Sequence, residues 1–233
     1  MKKTSEIFKR MSTILVDSSR LDMHIHTTWT DGKASMKEML DRCSLNHLSM
    51  AAITDHIRSS SDYYGDYLKE IESHRDKYHF LLYGGFEAKI SGSDGRIDIP
   101  KEAYDMADII IASVHRVPYG GRLVYPRDIQ QDELAQVEKD LSIAAVSNRE
   151  GMYPNVLGHC GGMSIAAYGS FPIEYFDEVI RACNECDTAF EFNYKYHEKY
   201  EKELKELLKK YDPYVSVGSD AHEVNRVSNR SFV

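Results

Sequence analysis

No run of this 233-residue chain approaches the ~18 consecutive apolar residues that a membrane-spanning helix needs, which argues against a transmembrane protein. The apolar stretch after Arg10 is short and broken by Ser12 and Thr13, so a signal peptide is not expected despite Lys2 and Lys3, and a cytoplasmic location is. Cysteine is scarce. Four residues, Cys43, Cys160, Cys183 and Cys186, fit reduced thiols rather than a disulfide framework. Cys183 and Cys186 have the spacing of half a zinc or redox site, but no second pair accompanies them. They also fall at the end of a predicted helix, where the dipole disfavours a thiolate, so both read as small buried residues. Linkers rich in Pro, Gly or Ser are missing, as are internal repeats, and one domain is the simplest count. Positive charge is in the minority: 29 Lys and Arg face 37 Asp and Glu, a net charge of −8. That excludes a binder whose whole surface tracks nucleic-acid phosphates.

What is present is a chain with 42% hydrophobic residues, enough to bury a sizeable core without help from staples. From Leu21 onward, short β-rich runs alternate with helical patterns, the signature of a parallel α/β sheet or barrel. Strands are expected at 21–26, 50–54, 80–87, 109–114, 156–158, 189–193 and 214–218. Ser35 with Glu38 forms a capping box ahead of Met36, Met39, Leu40 and Cys43 at helical spacing. A second helix should carry Leu134, Val137, Leu141, Ala144 and Ala145 on one face, and a third Tyr196, Tyr200, Leu204, Leu207 and Tyr211. Gly92-Ser93-Asp94-Gly95 between Ile90 and Ile97 predicts a tight turn. Residues 1–20 read as a helix or arm ahead of a domain spanning 21–233.

The chemistry lies at the strand ends. Asp22, His24 and His26 alternate along the first strand, and a period of two puts them on one face. Asp55 and His56 end the second strand, Glu87 the third, His115 the fourth and His159 the fifth; Glu191 and Asn193 lie on the sixth, and Asp220 and His222 follow the seventh. In a barrel of parallel strands those ends converge on one mouth, so residues far apart in sequence assemble a multinuclear metal site. His47, His74, His79 and His197 lie in or beside helices and read as packing or surface residues.

Asp22-Met23-His24-Ile25-His26-Thr27-Thr28-Trp29-Thr30-Asp31-Gly32, Ile53-Thr54-Asp55-His56, Gly85-Phe86-Glu87-Ala88, Ser113-Val114-His115-Arg116, Leu157-Gly158-His159 and Gly218-Ser219-Asp220-Ala221-His222 resemble the successive motifs of the PHP family, named for polymerase and histidinol phosphatase. The pattern is most similar to stand-alone PHP phosphoesterases and to the PHP domain of bacterial family X DNA polymerases. The resemblance implies a distorted (β/α)7 TIM-like barrel and a metal-dependent phosphoesterase. It implies a first metal on His24, His26, Glu87 and Asp220, with Glu87 bridging to a second held by His115 and His159. A third would use Asp31, His56 and His222. The tail after His222 is shorter than in most relatives, so the last barrel helix is expected to be missing. The N-terminal segment, with Ile7, Phe8, Met11, Ile14 and Leu15 at helical spacing, is a candidate to cover the gap.

Mixed His and carboxylate ligation suits two or three Zn, Mn or Fe ions rather than Ca. A hydroxide shared by two such ions would serve as nucleophile near neutral pH. Arg116 and then Arg58 are the candidates to clamp the phosphoryl group, while Asp55 and Asp22 would orient histidines or accept protons. Cys160, beside His159, reads as packing. The expected substrate is a small phosphorylated molecule. The alternatives are a nucleic-acid end, with Tyr63, Tyr64, Tyr67, Tyr119 and Arg122 as a base platform, and a non-catalytic metal-binding regulatory module. The sequence carries no signal for an oligomeric state.

Overall fold

The computed structural model describes residues 1–14, 20–119, 122–148 and 150–232. Its frame is seven parallel strands: β1 Leu21–Ile25, β2 Met50–Ile53, β3 Leu81–Lys89, β4 Ile109–Ser113, β5 Val156–Leu157, β6 Ala189–Asn193 and β7 Tyr214–Gly218. Each pairs in parallel with the next in chain order. The two edge strands then meet: Ile25 bridges Ala221, with His26 N donating to Ala221 O at 2.9 Å and Ala221 N to His24 O at 3.3 Å. Closure on the side of the strand C-termini makes the sheet a distorted (β/α)7 barrel. Helices such as Met36–Leu45, Gln131–Ser147 and Ile173–Glu185 cover its outside.

Strands covered on both faces read as continuous apolar runs, and Ile109-Ile110-Ile111-Ala112 is buried throughout. The capping box is formed, with Glu38 N donating to Ser35 Oγ and Ser35 N to the Glu38 carboxylate. The turn at Gly92–Gly95 closes on a bridge between Ile90 and Ile97. The pattern read as one helix from Tyr196 to Tyr211 divides instead into Tyr194–His197, a 3-10 turn Glu198–Tyr200 and Glu201–Tyr211. Asn193 starts the first piece by accepting from Lys195 N at 3.0 Å.

The N-terminal residues do not form one amphipathic helix. Among the described N-terminal residues only Thr4–Ile7 is α-helical, and Lys9–Arg10 pairs antiparallel with Val215 and Tyr214. The open flank of β7 offers unpaired backbone groups there, and pairing with them outweighs continuation of the helix. Ile7, Phe8 and Met11 are buried and Ile14 packs against the core; Leu15 lies outside the described residues. The space beside β1 is filled from the other end of the chain. Val227, Ser228 and Phe232 are buried, and the Phe232 ring lies 5.1 Å from that of Phe192.

Asp22 ties this tail to the barrel. Its carboxylate accepts from Ser219 N (2.9 Å), Ser219 Oγ (2.6 Å) and Ser228 N (2.8 Å). Burial pushes its pKa up to about 6 against those donors. Asp22 was expected to orient histidines. It takes only the backbone N–H of His24, at 3.4 Å, and its role is to hold the chain after β7.

Candidate metal centre

Glu87, on β3 and 1% exposed, stands at the middle of the barrel mouth. Its Oε1 lies 2.8 Å from His159 Nε2 and 3.3 Å from His115 Nε2. Its Oε2 lies 2.9 Å from His56 Nδ1, 3.4 Å from His24 Nε2 and 3.5 Å from His26 Nε2. Five imidazoles from four strand ends thus surround one carboxylate. On the outer side His26 Nε2 is 3.3 Å from Asp220 Oδ1, and Asp31 receives His222 Nε2 at 3.3 Å and His56 Nε2 at 3.4 Å. The structure therefore brings together all nine residues that the strand-end pattern and the resemblance nominate as ligands. Three subsets have ligand atoms within 4.8 Å of one another: His26, Asp31, His56 and His222; His24, His26 and Glu87; His56, Glu87 and His115.

The donor set fits metal ions for a reason internal to the structure. His24 Nε2, both ring nitrogens of His26, Glu87 Oε2 and His159 Nδ1 are buried without a hydrogen-bond partner. So many orphaned polar atoms in one place would be costly unless a cation satisfied their lone pairs. Burial opposes the charge on Glu87, but His115, His24 and His56 outweigh it and hold the carboxyl well below its usual range. Burial drives His26 down to about 4, leaving a neutral ring able to ligate.

His56 behaves oppositely. Burial lowers its pKa, yet Glu87 and Asp31 overcome that and raise it from 6.5 to about 10. An imidazole raised in the folded state contributes stability that is whole below its unfolded value and lost as pH climbs through the folded one. Metal-free protein should therefore lose stability between about pH 6.5 and 10. Metal, which requires the neutral ring, should bind more tightly across the same window. Thermal melts of chelated protein and metal titrations over that range check both, and a pH-independent affinity would remove His56 from the ligand set.

A model of the PHP domain matches residues 22–219. The chain belongs to the PHP domain family. A probable phosphatase of Caldicellulosiruptor bescii is 30% identical over 216 residues, covering 87% of this chain and 79% of that protein. The DNA polymerase/3'-5' exonuclease PolX of Bacillus subtilis is 24% identical over 218 residues, but the match spans only 35% of that longer protein. Among solved structures, histidinol phosphate phosphatase from Lactococcus lactis, complexed with zinc, L-histidinol and phosphate, superposes with a TM-score of 0.66 at 20% identity, over 88% of this chain and 87% of its own. This kinship classes the chain with hydrolases of phosphoric esters.

Around the cluster of this PHP domain stands a layer of fixed hydrogen bonds. Glu191 on β6, fully buried, accepts from His24 Nδ1 at 2.8 Å and from His159 N at 2.6 Å. Nδ1 of His24 is thereby committed as the donor, leaving Nε2 as the free lone pair. Asn193 supports Glu191 through its amide at 3.2 Å. Gly218 is required beneath them, because a Cβ there would fall 2.3 Å from Glu191 Oε1 and 2.6 Å from His24 Cβ. Glu138, buried in the helix Gln131–Ser147, accepts from Met163 N, Ser164 N and Ser164 Oγ, which caps the short helix just after His159. Sequence reasoning missed Glu138, whose only signal is an acid on an otherwise apolar helix face.

Asp55 is not the partner of a histidine. Its oxygens accept from Thr27 N (2.9 Å), Thr27 Oγ1 (2.8 Å) and Thr30 Oγ1 (2.7 Å), so it fastens the loop that delivers Asp31. Arg116 is exposed and donates to the Tyr125 hydroxyl at 2.7 Å, with its guanidinium 4.4 Å over that ring. Arg58 is exposed. Neither arginine is among the groups gathered about Glu87. Tyr67 is wholly buried and donates to Gly85 O, while Tyr63 is half-buried and donates to His56 O. These two belong to the packing under the loop rather than to an open base platform, and Tyr64 too packs against the core. Arg122 is exposed on a hairpin in which it pairs with Tyr119. His47 and His79 are exposed, His74 is half-buried and His197 is buried against Cys160 O. Cys160 is 2% exposed, and burial pushes its thiol well above the usual range, so it packs as expected. No helix among the described residues is long and apolar enough to cross a membrane.

Proposed function

We propose that this PHP domain is a metal-dependent phosphatase for a small phosphorylated molecule. The observation that carries the reading is the gathering of six histidines and two aspartates about Glu87, with several buried ligand atoms left unpartnered. We assign the first metal to His24, His26, Glu87 and Asp220, the second to Glu87, His115 and His159, and the third to Asp31, His56 and His222. Two or three Zn, Mn or Fe ions held there would supply an activated water near neutral pH and positive charge for the phosphoryl oxygens.

The chain's own part is to hold that arrangement. Glu191 fixes the His24 ring and the His159 backbone, Asp55 holds the Asp31 loop, and Glu138 anchors the helix after His159. Cys160 is too buried and too weakly acidic to compete with water as the attacking group. A small substrate is favoured by a cavity of about 620 Å³ that opens beside Asp220 and His222, a volume typical of small-molecule sites. It is favoured too by the burial of Tyr67 and by the phosphatase relative that matches over most of its own length. The Lactococcus neighbour, bound to zinc and phosphate, has the same fold.

With added Mn or Zn, the protein should cleave a generic aryl phosphate monoester faster than the diester or short single-stranded DNA. In a single turnover with excess enzyme, solvent oxygen-18 should enter the phosphate directly. Faster cleavage of DNA would replace the phosphatase by a nuclease, and an obligatory phosphorylated side chain would remove direct attack by water.

A further inference from the structure

Lys195 brings an ammonium to the cluster that the strand-end pattern gave no reason to expect. Its Nζ lies 2.6 Å from Asp220 Oδ2, while Asp220 Oδ1 faces His26 Nε2 at 3.3 Å. One carboxylate is thus shared between the histidines inside and a lysine outside. The same ammonium lies 4.9 Å over the ring of Tyr196, which in turn packs 5.3 Å from the His159 ring. Its stem is placed by the hydrogen bond from Lys195 N to Asn193 Oδ1, and Asn193 is braced on Glu191. The side chain remains 48% exposed and, with Asp220, His222, Tyr194 and Arg226, lines the cavity of about 620 Å³. Lys195 therefore stands where that cavity meets the cluster.

We propose that Lys195 is a catalytic residue that contacts a non-bridging phosphoryl oxygen of the substrate from the cavity side. This rests on the phosphatase reading above. A phosphoryl group entering through the cavity meets Lys195 next to Asp220, and in-line attack adds charge to its non-bridging oxygens. A cation already held at that point stabilises the charge without reorganisation. Lysine serves as a point charge on a flexible stem, so it can keep Asp220 company before substrate arrives and turn to the anion afterwards. Arg116, by comparison, is exposed and donates to the Tyr125 hydroxyl, away from Asp220.

The competing role, a strut that merely holds Asp220 in place, makes a different forecast. Lys195→Met, Lys195→Arg and the parent should be compared for metal content, for inorganic phosphate binding to the metal-loaded protein by calorimetry, and for kcat and KM on an aryl phosphate. The expected result for Lys195→Met is unchanged metal content, phosphate binding weaker by about 30-fold, and a similar fall in kcat/KM. Lys195→Arg should recover most of both. Unchanged phosphate affinity in Lys195→Met overturns the proposal, as does loss of metal together with phosphate, which is the signature of the strut. If the parent binds phosphate through Lys195 yet hydrolyses no ester, the contact stands and the phosphatase reading falls.

Discussion

Replacing Glu87 by alanine should strip metal from two of the three proposed positions at once and lower hydrolysis by at least about 10³-fold. No other side chain in the site faces so many partners: His159 and His115 stand within 3.3 Å of one oxygen, and His56, His24 and His26 within 3.5 Å of the other. The carboxylate also supplies the negative charge that lets cations be concentrated among imidazoles in a buried place. Removing it leaves a cavity of uncharged ring nitrogens that offsets a cation's lost hydration less well. Elemental analysis alongside turnover would decide the matter. A Glu87→Ala protein that folds and retains its full metal complement would show that Glu87 bridges nothing.

Glu191→Gln should weaken metal binding by about 100-fold while leaving every proposed ligand in the chain. The parent carboxylate accepts from two donors, the His24 ring at Nδ1 and the His159 backbone. A carboxamide has only one acceptor oxygen, so one of these donors would meet an N–H₂ group instead. Either the His24 tautomer reverses, turning the wrong nitrogen to the metal, or the turn at His159 loosens. That turn is already demanding, since His159 has φ +23°. Competition titration against a chelator measures the loss. An unaltered affinity would mean that the ring of His24 is oriented by its packing alone.

The strands were legible because each is an apolar run ended by a residue that no core would choose, and in a parallel barrel that end is the functional one. His24, Glu87, His115, His159 and Asp220 could be grouped on that basis before any coordinates. Asp22 and Asp55 were misjudged for separate geometric reasons. The period of two gives the face on which Asp22 lies but not its depth, and two residues below His24 it meets the tail, not an imidazole. Asp55 precedes His56 directly, and neighbours in extended chain point to opposite faces, so adjacency in sequence meant separation in space. Lys195 was invisible because its contact with Asp220 depends on how the chain turns after β6. For the N-terminal residues the sequence left a helix or an arm open, and pairing with the free edge of β7 gives an arm with one short helix.

The hydrogen bonds from Ser219 and Ser228 to Asp22 bear on when the protein can acquire its metal during synthesis. A ribosome releases His24 and His26 long before Asp220, His222 and the residues that clasp Asp22. At about 5–20 residues per second, the interval is on the order of 10 to 40 seconds. Throughout it, the first strand lacks its closing neighbour and the Ser219 and Ser228 donors for its buried carboxylate, and His26 lacks Asp220. Closure joins residues almost a full chain length apart, a topology that folds slowly. The proposed ligand cluster can thus be completed only after β7 and the residues that clasp Asp22 have been made, long after its first two histidines.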